Sequence, residues 1–101
     1  MSYVHANLTR MTLAELDVSQ QQLSAFSGVN INRISPWISG TKDIGNLDLE
    51  KINETIRNLK RLTELAQPWP IDFRRVGTIR LLLERLRNGE FDRPFESEQM
   101  R

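Results

Sequence analysis

Side chains able to do covalent or metal chemistry are few in this sequence. His5, near the N-terminal end, is the one histidine, and cysteine is absent. A hydrolytic triad needs His or a substitute base, and a thiolate metal site needs Cys. Neither is expected, so the chain does not read as an enzyme and implies no cofactor. Asp43, Asp48 and Glu50 form a local group of carboxylates that could suggest a divalent ion. Their place around a helix start gives a simpler account, because carboxylates there cap the backbone and complement the helix dipole. What remains is the chemistry of hydrogen-bond donors. Of the 14 cations, 11 are Arg, whose planar fork suits phosphate or carboxylate.

The net charge is only +1, so no global field advertises a nucleic-acid partner. The charge is unevenly spread. Residues 1–56 hold four basic and six acidic side chains, a net of −2, whereas residues 57–101 hold ten and seven, a net of +3.

The elements that must position these groups are helices. At 101 residues the chain is sized for a single domain, and 39% hydrophobic with 27% charged residues is a globular balance rather than a disordered one. The longest purely apolar run, Leu81 to Leu83, is far short of the ~18 residues of a membrane span. The opening residues carry no cationic region followed by an apolar one, and the lack of Cys fits a reducing compartment, so a cytoplasmic location is expected.

Capping signals cut the chain, and nothing alternates as a strand would. Thr12 to Glu15 has capping-box spacing, and Ser19 to Gln22 repeats it ahead of Leu23 and Phe26, with Gly28 as a left-handed terminator. Asn30 offers another N-cap before Ile31, Ile34, Trp37 and Ile38, and Gly40 closes that segment. Two short helices joined by so tight a turn must cross steeply. A longer helix opens near Asn46, carries Leu49, Ile52, Ile56, Leu59, Leu62 and Ala66 on one face, and must end near Gln67 before Pro68 and Pro70. Asp72 can cap a last helix to Asn88, with Phe73, Val76, Ile79, Leu82, Leu83 and Leu86 as its stripe and Leu81 widening it. The expectation is an all-α bundle of about five helices: a core over about 12–67, an extra C-terminal helix over about 71–89, and a loose tail over 90–101 in which Phe91 or Phe95 could serve as a pin. No repeat or low-complexity segment is present.

The segment Ser19 to Gly40, SQQQLSAFSGVNINRISPWISG, resembles the helix-turn-helix of the lambda-repressor/Cro-like (XRE) family. The matching positions are Gln20, small Ser24 four residues on, Gly28, Ile34, Trp37 and Gly40. A small side chain at Ser24 lets the second helix approach the first, Gly28 supplies a positive φ, and Val29, Ile34 and Trp37 fill the angle between them. The likeness covers these 22 residues tightly and 19–66 loosely.

The resemblance implies that the second helix enters the major groove of double-stranded DNA. Carried over by position, Asn32, Arg33 and Ser35 would face bases, with Asn30 and Ile31 at the helix entrance. Arg33 could read guanine and Asn32 adenine through paired hydrogen bonds. Gln20 and Gln21 would hold a phosphate together with backbone N–H groups, and Thr41 and Lys42 suit the same strand's backbone. The implied function is that of a prokaryotic or phage transcriptional repressor or regulator.

Two features depart from that pattern. Pro36 lacks the N–H that should bond to Asn32. Starting the helix at Pro36 would leave too little before Gly40, so one helix kinked or tightened at Pro36 is expected. The −2 charge of residues 1–56 also gives few cations for phosphate, so a monomer should bind weakly. Weak monomers and a helix apolar on more than one face point to a homodimer on a palindromic operator, with Ile79, Leu82, Leu83 and Leu86 as its interface. The alternative for this helix is clamping between two elements of its own chain, covered by Trp69 and Phe91. The competing functional reading is a protein-interaction module, an antitoxin or adaptor that binds a partner protein through the C-terminal helix.

Overall fold

Ser19 starts a helix that is capped at both ends. The computed structural model describes residues 2–91. Chain order gives α1 (Ser2–Leu16), α2 (Gln20–Ser27), α3 (Ile31–Ile38), α4 (Asn46–Ala66) and α5 (Val76–Arg87). At α2 both halves of the capping box form: the Gln22 N–H donates to Ser19 Oγ at 3.0 Å, and the Ser19 N–H donates to Gln22 Oε1 at 2.8 Å. Asn30 caps α3 through its side-chain oxygen, which accepts from the Asn32 N–H at 2.8 Å. α4 ends at Ala66, where Pro68 and Pro70 forbid continuation.

The protein is therefore a small all-α bundle, five helices with no strand among the described residues. α1 packs on α3; α2 touches α3, α4 and α5; and α4 touches α5. Leu23, Ile34, Ile52 and Leu59 lie fully buried at the centre, with Val29, Trp37 and Leu83 beside them. Phe26 of α2 meets Phe73 edge-on, ring centroids 6.4 Å apart, which ties the α4–α5 connection to the core. No helix among the described residues is long and apolar enough to cross a membrane.

Three expectations need correction. α1 does not begin at Thr12 but runs through it from Ser2, burying Ala6, Thr9 and Leu13. Ala and Thr are weakly apolar, so this stripe was faint in the sequence. α5 begins at Val76, not Asp72. The Asp72 carboxylate instead accepts from the Arg74 N–H at 3.0 Å, closing a local turn that seats buried Phe73. Finally, Ile79, Leu83 and Leu86 are buried and Leu82 is half-buried against the chain's own core. α5 packs between α2 and α4, so the chain's own core covers Ile79, Leu83 and Leu86 and takes part of Leu82. Trp69 does not cover them, being 74% exposed, whereas Phe91 packs at the core edge. Phe95 and most of the expected tail lie outside the described residues.

Candidate functional site

The α2–α3 corner is held by a set of local hydrogen bonds around a three-residue turn. Gly28 sits at φ 81°, ψ 4°, and its N–H donates to the Ser24 carbonyl at 2.9 Å. Ser24 Oγ donates to the Val29 carbonyl at 2.6 Å, and the Val29 N–H donates to Ser27 Oγ at 3.2 Å. The Asn30 carbonyl then accepts from Arg33 and Ile34 as the first intrahelical bonds of α3. Val29 is driven into the core between the helices, with Ile34 and Trp37 behind it. Two eight-residue helices are thus locked at a fixed crossing.

Successive residues of α3 lie about 100° apart around its axis. Ile34, Trp37 and Ile38 take the buried side, so Asn32, Pro36 and Ser39 centre the outward side. Arg33 and Ser35 fall on its two flanks. Each flank is tethered to a neighbouring helix. Ser35 Oγ donates to Gln20 Oε1 of α2 at 2.7 Å, while Arg33 Nε donates to Asp48 Oδ2 of α4 at 2.6 Å. The Gln20 side-chain carbonyl is thereby engaged, which leaves its NH₂ donors for another partner. Gln21 is exposed at the N-terminus of α2.

Pro36 is accommodated within α3, which is α-helical from Ile31 to Ile38. The N–H it lacks would have bonded to the Asn32 carbonyl, on the outward side where water can solvate that oxygen. The Pro36 carbonyl, in turn, anchors the helix exit: it accepts from the Thr41 N–H at 2.9 Å, Thr41 Oγ1 at 3.0 Å and the Lys42 N–H at 3.2 Å. With Gly40 at φ 84° and its N–H on the Trp37 carbonyl, this is a Schellman terminus.

Of the residues singled out in the sequence, Asn32, Arg33, Gln21, Thr41 and Lys42 are exposed, and Gln20 and Ser35 are half-buried and bonded to each other. Asn30 is exposed with its side-chain oxygen committed to capping. The Thr41 hydroxyl is committed to the Pro36 carbonyl. Asp48, read from the sequence as a dipole-complementing acid, is also the partner of Arg33. Nothing in the sequence spacing gave this, because the loop between α3 and α4 sets which turn of α4 faces α3. Among the described residues no group of three His, Cys, Asp or Glu side chains is arranged to hold a metal ion.

A second feature lies away from this corner. An open groove of about 630 Å³ runs between α2 and α5, with Ala25 and Gly28 on one wall and Gly77, Arg80, Leu81 and Glu84 on the other. Leu81 is 51% exposed there. No protein-family model matches the chain, and neither does any of the curated proteins or solved structures compared with it.

Proposed function

We propose that the chain is a sequence-specific double-stranded DNA-binding protein, a prokaryotic or phage transcriptional regulator acting in the cytoplasm, with α3 as its recognition helix. The observation that carries this reading is the corner: two short helices at a locked crossing, the second offering Asn32 and Arg33 on its outward and flanking surface. Asn32 and Arg33 read base edges, and the Gln20 amide with the N-terminus of α2 holds a phosphate. Lys42 contributes more to the backbone than Thr41, because the Thr41 hydroxyl proton is already given to Pro36.

Binding is by a homodimer on a palindromic operator whose half-sites lie about one helical turn, ~34 Å, apart. Its contact surface is the open side of α5 around Leu81 rather than the buried stripe. Arg80 and Glu84 are one turn apart there, and neither is ion-paired among the described residues. An antiparallel pairing of α5 with its copy through the Leu81 side, the two-fold axis level with position 82 along the helix, sets each Arg80 against the other's Glu84.

The test is selection from random duplex DNA at two salt concentrations, with the Asn32→Ala/Arg33→Ala double variant as control. An enriched palindrome, lost in the variant and weakened by salt, is expected. Weak, unselective binding indifferent to the variant would overturn the reading. The α2–α5 groove favours a second reading, that of an interaction module whose partner protein seats on α5.

A further inference from the structure

We propose that Asp48 is a positioning residue that sets the guanidinium of Arg33 for guanine, an inference that rests on the DNA-binding reading above. Arg33 Nε lies 2.6 Å from Asp48 Oδ2, and Nη2 lies 3.5 Å from Oδ1, so the carboxylate spans one edge of the fork. A guanidinium has five N–H groups: one on Nε and two on each terminal nitrogen. Asp48 takes one from Nε and one from Nη2. The three that remain include a parallel pair on the Nη1–Nη2 edge, the arrangement that matches O6 and N7 of guanine.

Access follows the same order. The Arg33 side chain is 56% exposed and the Asp48 side chain 18%, so the acid stands behind and the cation in front. Asp48 is in the first turn of α4, where the helix dipole favours a carboxylate, and its short side chain leaves it little freedom. Arg33 sits in the first turn of α3, the end of a recognition helix that reaches base edges. As an exposed ion pair the contact adds little to folding. Its value is that a side chain with four rotatable bonds is ordered before DNA arrives, so less freedom is lost on binding.

A carboxylate beside DNA also repels phosphate, and this separates a positioning role from a purely electrostatic one. Without Asp48 the chain gains one positive charge towards DNA, so it should bind unselected duplex more tightly while discriminating less. The experiment uses the full chain. Site selection with wild type and Arg33→Ala identifies the position whose guanine preference depends on Arg33. The guanine-to-adenine penalty there is then measured by anisotropy for wild type, Asp48→Asn, Asp48→Ala and Asp48→Glu, each checked for folding by circular dichroism.

A wild-type penalty of about 5- to 150-fold is expected. It falls at least several-fold towards the Arg33→Ala value in the Asn and Ala variants, is partly restored in Asp48→Glu, and other positions keep their preferences. Wild-type selection with an undiminished penalty in folded Asn and Ala variants overturns the positioning role alone, as does a selected site with no guanine that depends on Arg33. A wild-type chain that selects no sequence overturns the DNA reading and this inference with it.

Discussion

Ser24 Oγ donates to the Val29 carbonyl at 2.6 Å, bridging the middle of α2 to the residue that plugs the helix corner. The sequence gives one reason for a small residue at this place, the close approach of α3. The hydroxyl gives a second, because Val29 is buried and its carbonyl needs a donor. Ser24→Ala keeps the size and removes the donor. It should destabilise the fold by about 1–2 kcal/mol in urea unfolding, the range for a buried acceptor left unpaired. A change below a few tenths would mean that water replaces the bond.

The elements bounded by local chemistry were legible. Ser19 with Gln22, Asn30 and the two prolines after Gln67 act within a few residues, so they fixed α2, the start of α3 and the end of α4. Two helix starts differ from the sequence reading because capping residue types also occur inside helices and in turns. Thr12 has capping-box spacing but sits mid-helix, and the Asp72 carboxylate closes a turn instead of capping α5. The α5 stripe was found, yet periodicity cannot say whether a face is covered from inside or by a second molecule. The polar residues that the sequence pattern assigns to the corner are exposed or half-buried there, while the link from Arg33 to Asp48 depends on how α4 is set against α3, which no local pattern encodes.

Backbone handedness supplies a paired prediction. Gly28 lies at φ +81°, and a Cβ there would meet nothing within 4 Å, so Gly28→Ala carries a conformational penalty without a clash. About 1–2 kcal/mol of lost stability is expected. Asp17 is the opposite case, a non-glycine at φ 60° that ends α1, with the Val18 N–H on the Leu13 carbonyl at 2.9 Å. Its charge also opposes the dipole at a helix C-terminus. Asp17→Gly should therefore raise stability by on the order of 0.5–1 kcal/mol. Thermal unfolding of the two variants checks both signs, and a destabilising Asp17→Gly would overturn the second.

The Asp72 carboxyl is held below its ordinary pKa, first by the Arg74 guanidinium at 2.9 Å and then by the Arg74 backbone N–H. A lowered folded-state pKa means that the ionised form is the stabilising one. Its contribution is complete above the unfolded value, about 3.9, and is lost as pH falls through the folded value. The stability difference between wild type and Asp72→Asn should thus stay constant from pH 7 to about 5 and shrink below about 4. A carboxyl titration followed by NMR with a midpoint at or above 4 would contradict this.

Leu81 and Leu83 are two residues apart on α5 and should answer substitution in opposite ways. Leu83 is fully buried in the core, so Leu83→Ala should destabilise the monomer fold itself by about 2–5 kcal/mol. Leu81 is half exposed on the groove side, where a charge meets water rather than core, and Leu81→Glu should leave chain folding within about 0.5 kcal/mol. If α5 pairs with its copy through this side, the Leu81 variant sediments as a monomer at concentrations where wild type is a dimer. Its binding to a two-half-site operator should then fall much further than its binding to a single half-site, because only the first gains from linking two chains. A Leu81→Glu chain that still sediments as a dimer would remove this face of α5 from the interface. Equal losses on both DNAs would instead place Leu81 in the fold or at the DNA.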